Sequence, residues 1–301
     1  MAQRRTDLAL EAKELWEESA QETSELEGVK AREEKRGNCS ITHVEIINEK
    51  GERALGKPQG HYVTLEMPEL VRREKSDYMA AAELLAEELG RLIQVSDKEP
   101  VMVAGLGNRH LTPDAIGPLA VESVLVTRHL IENIPEHFGS FRPVSALAAG
   151  VMGDTGMESG ELLRAAAGAV KPALIIAVDA LASRSVQRLF TTIQLTDTGI
   201  VPGSGVGNHR MALNQETLGI PVLSIGVPTV VDAATLCIDL LEQTGYTGMD
   251  PEALRNLGSE LFVTPRDVDS WGKTIAKVLG LGISRALHVD LSVEDVEMFL
   301  S

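Results

Sequence analysis

Residues 101–118 decide the expected fold, and their sequence is Val101-Met-Val-Ala-Gly-Leu-Gly-Asn-Arg-His-Leu-Thr-Pro-Asp-Ala-Ile-Gly-Pro118. The apolar run at the start predicts a buried strand, and the two glycines after it allow a tight turn. Thr112 is a good N-cap residue, and the apolar pattern from Asp114 to about residue 133 predicts a long helix. We therefore expect Asp114 between a strand end and a helix start, where open α/β sheets bind their ligands.

The same residues allow two other interpretations of this stretch. A dinucleotide fingerprint, G-x-G-x-x-G, would require glycine where His110 stands, and the chain contains no G-x-x-x-x-G-K-[ST] phosphate loop. An acid in the first turn of a helix is also often only a favourable partner of the helix dipole. A catalytic role for Asp114 therefore requires a second acid.

Asp179 supplies that second acid at the end of the run 172–179, which is nearly all apolar. Such a run predicts a strand that is buried on both faces of a parallel sheet. Parallel strands present their carboxyl ends at one edge, so Asp114 and Asp179 are expected to converge. Two close carboxyls share a proton, and one can act as general base while the other donates a proton. Both could instead ligate a metal, for which a histidine or a third acid would be expected.

Strands and helices alternate along the rest of the chain. Residues 1–36 are highly charged and predict a helix that packs loosely on the main body. The pattern predicts further strands at 41–47, 61–66, 142–149, 189–195 and 221–227, and helices at 76–94, 159–170, 231–244, 266–282 and 292–300. This order predicts a doubly wound α/β fold with a mostly parallel central sheet, helices on both faces and a small N-terminal β-element.

Composition limits the partners and the compartment. The chain has 301 residues and a formal net charge of −16, with its acids spread along its length. Such a surface repels nucleic acid backbones and anionic membranes, so neither is an expected partner. Cys39 and Cys237 are isolated, which argues against a disulfide framework or a zinc ribbon. No apolar leader or membrane-spanning run is present, and the expected location is the cytoplasm.

No other catalytic arrangement competes with the two aspartates. The chain has no G-x-S-x-G motif, and Ser204 lies in a glycine-rich loop that lacks an obvious base. Asp154 lies in a second loop with several glycines, at residues 150–156. Loops beside the expected site contain the remaining candidate residues, which are Gly105, Gly107, Asn108, His110, Thr112, Gly205, Asn208 and His209.

Five segments carry a resemblance to a known family. Residues 105–118, 150–158, 177–184, 202–208 and 216–233 resemble the spore germination proteases in the expected order. The resemblance implies an endopeptidase that degrades small acid-soluble spore proteins in the spore core during germination. It also implies a homotetramer made as a zymogen, which matures by removing its own N-terminal segment. The two aspartates of that family's chemistry map by motif onto Asp114 and Asp179.

The fold of that family is similar to that of the hydrogenase-maturation endopeptidases, which carry acids at the same two places. Those proteins bind a metal with an additional histidine, for which His209 is the nearby candidate here. We assign no cofactor and no metal ligand set. Two alternatives stay open, namely a metal-dependent endopeptidase that uses the same aspartates and a non-catalytic α/β oligomer whose glycine loops bind an anion.

The N-terminus contains a sequence similar to the family's cleavage preference. That preference is a threonine or serine, an acid, a large apolar residue and alanine, with an acid further on, and Thr6-Asp7-Leu8-Ala9-Leu10-Glu11 fits it. The resemblance therefore predicts autoprocessing between Asp7 and Leu8. Residues 1–7 would then form a propeptide, and residues 8–301 a single α/β peptidase domain.

Overall fold

A computed structural model describes residues 4–19, 26–72, 74–204, 210–246, 250, 252–254 and 261–301. Its described strands join in one sheet with the order β1-β2-β3-β7-β8-β6-β4-β5, and β9 pairs with β8. The strands are β1 (Val29–Arg36), β2 (Cys39–Ile46), β3 (Gly60–Glu66), β4 (Val101–Leu106), β5 (Val144–Gly150), β6 (Leu174–Ser183), β7 (Thr192–Thr196), β8 (Val222–Asp232) and β9 (Phe262–Val263).

Helices pack on both faces of this sheet. Those in the described ranges are α1 (Ala9–Ser19), α2 (Glu49–Leu55), α3 (Lys75–Leu92), α4 (Ile116–Val121), α5 (Arg128–Asn133), α6 (Pro135–Phe138), α7 (Met152–Thr155), α8 (Ser159–Val170), α9 (Gln215–Leu218), α10 (Ala233–Gln243), α11 (Val268–Leu287) and α12 (Val293–Phe299). Short 3-10 turns lie at Pro68–Arg72, Thr112–Asp114 and Val186–Arg188. None of the helices in these ranges has the length and apolar character needed to cross a bilayer.

The sheet has a parallel half and an antiparallel half. Strands β5, β4, β6 and β8 are parallel to one another, as the buried apolar runs predict. Strands β1, β2, β3 and β7 continue the same sheet with antiparallel pairing, and β7 is antiparallel to β8. The α/β fold is therefore confirmed. The N-terminal β-element is part of the central sheet, because β3 pairs with β7, a strand more than a hundred residues later in the chain.

One face of the sheet carries the main core. Four helices cover it, namely α3, α4, α11 and α12, and their apolar side chains meet those of both halves of the sheet. Fully buried members of this core include Leu65, Leu85, Val103, Ile176, Ile225 and Leu279. Burial of each large aliphatic side chain contributes about 1.5–3 kcal/mol, so this face supplies most of the stabilisation of the sheet.

The opposite face, which we call the site face, carries two smaller cores with a polar row between them. Helix α8 covers the core over the parallel half, and helices α1 and α2 cover the core over the antiparallel half. Between these cores, Thr64 pairs with Gln194, Gln194 with Gly226, and Gly226 with Asp179. Residues paired in register across strands lie on the same face. A row that contains Thr64, Gln194 and Asp179 therefore crosses the sheet between the two cores.

The long helix expected from Asp114 to residue 133 is not continuous. Helix α4 ends at Val121, and α5 begins only at Arg128. Between them the backbone N–H of Leu125 donates to Ser284 Oγ at 2.9 Å, and that of Thr127 donates to the carbonyl oxygen of Val144 at 3.0 Å. These bonds to α11 and to the start of β5 replace helical ones, so tertiary contacts override the apolar periodicity.

The first 36 residues also differ from the expected loosely packed helix. Helix α1 ends at Ser19, and Val29–Arg36 form the edge strand β1, whose charged side chains are typical of a protected sheet edge. Leu8 and Ala9, just at the start of α1, are fully buried. The N-terminal segment, by which we mean residues 4–11, is therefore packed into the body of the protein.

The Thr127 hydroxyl should be a large contributor to stability at this helix break. It accepts a hydrogen bond from the backbone N–H of Val144 at 3.0 Å and donates one to the carbonyl oxygen of Arg142, and the side chain is fully buried. Thr127→Val leaves two buried backbone groups unpaired, so we expect the free energy of unfolding to fall by about 2–4 kcal/mol. Thr127→Ser keeps the hydroxyl and is the control, with an expected loss of about 1 kcal/mol. Equal losses in urea denaturation would contradict this role.

Candidate active site

A glycine turn holds Asp114 at the end of β4. Gly107 has φ +103°, and a side chain there would run into the backbone carbonyl and the carboxylate of Asp114. The backbone N–H of Asn108 donates to Asp114 Oδ2 at 2.8 Å. The Thr112–Asp114 turn in turn contacts β6 and β8. The expected placement of Asp114 beyond the carboxyl end of a strand is therefore confirmed.

Gly105 lets this turn lie close to the helix that follows it. A Cβ on Gly105 would meet the backbone of Gly117, and a Cβ on Gly117 would meet the backbone of Leu106 and the carbonyl oxygen of Val178. Strand β4, helix α4 and strand β6 thus approach within backbone contact. The two glycines bring the Asp114 turn near the middle of β6, at Val178.

Asp179 lies within β6 and is almost inaccessible, with 4% of its surface exposed. Its Oδ1 accepts a hydrogen bond from the backbone N–H of Ala180 at 2.9 Å. The strand continues past it to Ser183, so the carboxyl group projects from the sheet surface and not from the strand end.

The pKa values of both carboxyl groups are raised. Burial raises the pKa of Asp114, and the N–H of Asn108 and the charge of Arg210 oppose this effect. Burial raises the pKa of Asp179 well above its ordinary value, and the charges of Asp114 and Asp7 raise it further. The N–H of Ala180 and the charge of Arg210 oppose that shift only in part. The pair therefore favours a state in which Asp179 holds a proton, as general acid–base chemistry requires.

The N-terminal segment lies across the site face beside this pair. The backbone N–H of Asp7 donates to the carbonyl oxygen of Ala182 at 2.9 Å, and the N–H of Ala182 donates to Asp7 Oδ2 at 2.8 Å. Ser204 Oγ donates to Asp7 Oδ1 at 3.1 Å. Asp7 is thus fixed three residues along β6 from Asp179, and its charge acts on the pKa of that group.

Gln194 holds the peptide on either side of Leu8. Its Nε2 donates to the carbonyl oxygen of Asp7 at 3.2 Å, and its Oε1 accepts from the N–H of Ala9 at 2.6 Å. The N–H of Leu8 donates to Thr6 Oγ1 at 3.0 Å, and the Leu8 side chain is fully buried. Gln194 is a site residue that the sequence pattern did not reveal. Its one signal is a glutamine between Ile193 and Leu195 in the predicted strand 189–195.

Glu11 is a second anchor for the segment, four residues beyond Asp7, and it is fully buried. Its carboxylate accepts from the N–H of Arg184 at 2.6 Å, the N–H of Ser185 at 3.1 Å and Arg188 Nη1 at 3.1 Å, and it also bonds the Thr6 hydroxyl. Charge-assisted bonds of this kind are about twice as strong as neutral ones. Two backbone N–H groups and the guanidinium of Arg188 therefore form a binding site for an acid at this position.

Ion pairs fasten the outer part of the segment. Arg4 contacts Asp239 at 3.0 Å and Glu18 at 3.2 Å, and it also pairs with Glu242. Arg184 contacts Asp239 at 2.8 Å and Glu18 at 2.8 Å. Two arginines thus pair with three acids from α1 and α10.

A cavity of about 620 Å³ opens beside the segment. Asp7, Gln194 and Ser204 line it, together with Gly226, against which the Leu181 side chain packs. Lys57 also lines this cavity, and burial lowers its pKa against the opposing charges of Asp7 and Glu11. The volume is that of a small-molecule or peptide side-chain site.

The other loop candidates have peripheral positions. The backbone N–H of His110 donates to Asn108 Oδ1 at 2.8 Å, but the His110 residue itself is exposed. Thr112 is not the expected N-cap, because its hydroxyl donates to Asp269 Oδ1 at 3.1 Å on α11. Asp154 is exposed on α7. Gly205, Asn208 and His209 lie outside the described residues.

A grouping of metal-ligand residue types occurs elsewhere in the part of the chain that the structure describes. It comprises Glu34, His43 and Glu88, whose ligand atoms lie within 4.8 Å of one another. Arg36 pairs with both carboxylates and Arg91 with Glu88, so these acids already have cationic partners. At Asp114 and Asp179 the described residues form no comparable group.

Several known proteins are similar to this chain over most of its length. A family model described as germination protease matches residues 9–244. The germination protease of Clostridium tetani is 40% identical and covers 99% of both chains. That of Caldanaerobacter subterraneus subsp. tengcongensis is 43% identical over 98% of both chains. That of Priestia megaterium is 38% identical over 97% of this chain and 95% of its own.

These matches define the class of protein, an endopeptidase that hydrolyses peptide bonds. The chain belongs to the germination protease family and is a protease acting in spore germination, so its substrates are proteins. The family resemblance drawn from the motifs is confirmed. A NiFe hydrogenase maturation protease, HycI from Thermococcus kodakarensis, aligns over 66% of this chain and 98% of its own, with 21% identity and a TM-score of 0.38. This structural similarity is too weak to indicate a function.

The raised pKa of Asp179 predicts a pH-dependent stability difference. Its folded pKa lies above the unfolded value, so its ionisation penalises folding increasingly as pH rises above the unfolded pKa. Asp179→Asn keeps the oxygen that accepts from Ala180 but removes the ionisation. We expect its melting temperature to exceed that of the wild type at pH 8, with the difference shrinking towards pH 4. Asp154→Asn, an exposed control, should match the wild type at each pH. A difference that grows as pH falls would contradict this assignment.

Proposed function

We propose that this chain degrades small acid-soluble spore proteins during germination, and that Asp114 and Asp179 carry the hydrolysis. The chain would be made as a zymogen and would cleave itself between Asp7 and Leu8. The observation that supports this proposal is the position of the Asp7–Leu8 peptide, held between β6 and β7 beside two carboxyl groups with raised pKa values.

The two acids would divide the reaction between them. Asp114, with the smaller shift, is the ionised base that takes a proton from the attacking water. The water oxygen bonds to the carbonyl carbon of Asp7, and Asp179, which holds a proton, donates it to the nitrogen of Leu8. The C–N bond then breaks, and the products are a carboxyl group on Asp7 and an amine on Leu8. Positioned acid–base catalysis of this kind contributes about 10²–10⁴ in rate.

Protein substrates would occupy the place of residues 6–11. An acid before the cleaved bond would take the position of Asp7 at Ala182 and Ser204. A large apolar residue would fill the buried position of Leu8, and a later acid would meet Arg188 and the backbone of Arg184 as Glu11 does. This pattern matches the cleavage preference that the family resemblance implies.

The same contacts account for control by the N-terminal segment. A substrate cannot enter while residues 6–11 lie across the site face, so the segment inhibits until it is cut. Residues 1–7 would then be the propeptide, and residues 8–301 the single peptidase domain. The homotetramer and the spore core location follow from the family resemblance, and neither nucleic acid nor a membrane is a proposed partner.

The alternative is a metal-dependent reaction at the same aspartates, and a chelator distinguishes it from the metal-free mechanism. The described residues around the pair offer no third histidine or acid at ligand distance, and His209 lies outside them. Under our proposal, processing continues unchanged in excess EDTA.

Intact mass spectrometry tests the cleavage and both acids together. After a shift to mildly acidic pH, the wild type should lose residues 1–7, while Asp114→Asn and Asp179→Asn should each slow processing by at least about 10². Asp154→Asn is the matched control and should process at the wild-type rate, because its side chain is exposed on α7. Cleavage at another bond, or normal processing in either site variant, would refute the proposal.

The rate of processing should also fall as pH rises. Asp179 must hold a proton to donate it, and this protonated form is lost as pH rises through its raised pKa. We expect the first-order rate constant, measured by mass spectrometry over mildly acidic to alkaline pH, to decline on the alkaline side. A rate that stays flat or increases over this range would contradict the shared-proton mechanism.

A further inference from the structure

We infer that Gln194 is a third catalytic residue, which polarises the carbonyl group of the bond that is cut. This inference rests on the proposed cleavage between Asp7 and Leu8. It concerns a residue outside the aspartate pair, on a different strand.

The first observation is the direct bond to the reacting group. Gln194 Nε2 lies 3.2 Å from the carbonyl oxygen of Asp7, which is the oxygen that gains negative charge when water adds to the carbon. Within the described residues, this is the hydrogen bond that the oxygen receives. A donor that meets an oxyanion in a site with little water stabilises the transition state more than the substrate.

The second observation is that Gln194 binds both sides of the peptide that is cut. Its Oε1 accepts from the N–H of Ala9 at 2.6 Å. The amide plane of one side chain therefore fixes the carbonyl before the bond and the N–H that follows Leu8. Two bonds from a single planar group limit rotation of the peptide, which keeps the carbonyl carbon in position for attack.

The third observation is the position of Gln194 in the sheet. It pairs with Gly226 of β8, and Gly226 pairs with Asp179 of β6, so the two side chains lie on the same face with a glycine between them. Adjacent strands are about 4.8 Å apart, which separates the two backbones by about 10 Å, and the Leu181 side chain lies over Gly226 between them. Asp179 and the amide that binds the Asp7–Leu8 peptide thus lie on the same face of the sheet, two strands apart.

The burial of Gln194 indicates that its side chain is placed to bind a peptide backbone. Only 6% of its surface is exposed, and a buried amide costs folding free energy unless its polar atoms are bonded. Both of its amide atoms bond the N-terminal segment, at Asp7 and Ala9. The side chain is thus poised to bind a peptide backbone, and the segment is the peptide that it binds here.

Two substitutions separate catalysis from binding. Gln194→Glu keeps an oxygen that accepts from the N–H of Ala9 but loses the N–H donor to the Asp7 carbonyl. Gln194→Met has a similar length and loses both bonds. Gln215→Glu makes the same chemical change at an exposed position on α9 and is the control. The added carboxylate would face Asp7, Asp179 and Lys57, so all rates are compared at one pH where the wild type processes well.

The measurement is the first-order rate of self-cleavage, followed by intact mass. We expect Gln194→Glu and Gln194→Met to slow it by about 10²–10³, the loss seen when one oxyanion donor is removed. Docking of the segment is measured separately by hydrogen exchange at the amide of Ala9, with Asp114→Asn added to each variant to prevent cleavage. Gln194→Glu should keep the protection of this amide, and Gln194→Met should reduce it.

The outcomes distinguish this inference from the proposed function. A wild type that does not cut between Asp7 and Leu8 would refute both. A wild type that cuts there, with both Gln194 variants within about threefold of Gln215→Glu, would refute the role of Gln194 alone. Slow cleavage in Gln194→Glu together with an equal loss of protection at Ala9 would show that Gln194 only positions the segment, which also overturns the catalytic role.

Discussion

A carboxyl group within a sheet can be buried only if it is protonated or paired with cations and donors, because the ionised form loses its hydration. Asp179 meets this constraint with a single backbone N–H, and its nearest charged neighbours include two more acids. Its proton is therefore retained to higher pH than an ordinary aspartate allows. The close backbone approaches at Gly105, Gly107 and Gly117 keep the two acids near each other, and the N-terminal segment helps to keep water from them.

The N-terminal segment covers the site face beside these acids. Ordering each residue of the segment costs roughly 1–2 kcal/mol of backbone entropy, and the burial of Leu8 returns about 1.5–3 kcal/mol. Hydrogen bonds at Asp7, Ala9 and Glu11 and the packing of α1 also hold the segment in place.

Much of the fold, the position of Asp114 and its closeness to Asp179 could be predicted from the sequence. The apolar runs that became β4, β6 and β8 are long and bounded by turn residues, and they placed Asp114 beyond the end of β4. Asp179 was expected at a strand end but lies within β6, because the strand continues to Ser183 beyond the apolar run. The pairing of β3 with β7 could not be predicted, because it joins residues far apart and leaves no local pattern. Gln194 was missed for a similar reason. A glutamine in a strand resembles an ordinary solvent-facing residue until the N-terminal segment is seen above it.

The ion pairs around Arg4 have a consequence for the mature chain. While the segment is intact, Arg4 and Arg184 offset two of the three negative charges of Glu18, Asp239 and Glu242. A cut after Asp7 would take Arg4 away with the released peptide and leave one arginine among three acids. The corner between α1 and α10 would then carry mutual repulsion that dissolved salt can weaken within about 10 Å. Cleavage would thus also weaken the packing of α1 by charge repulsion, at the time when the site would have to open.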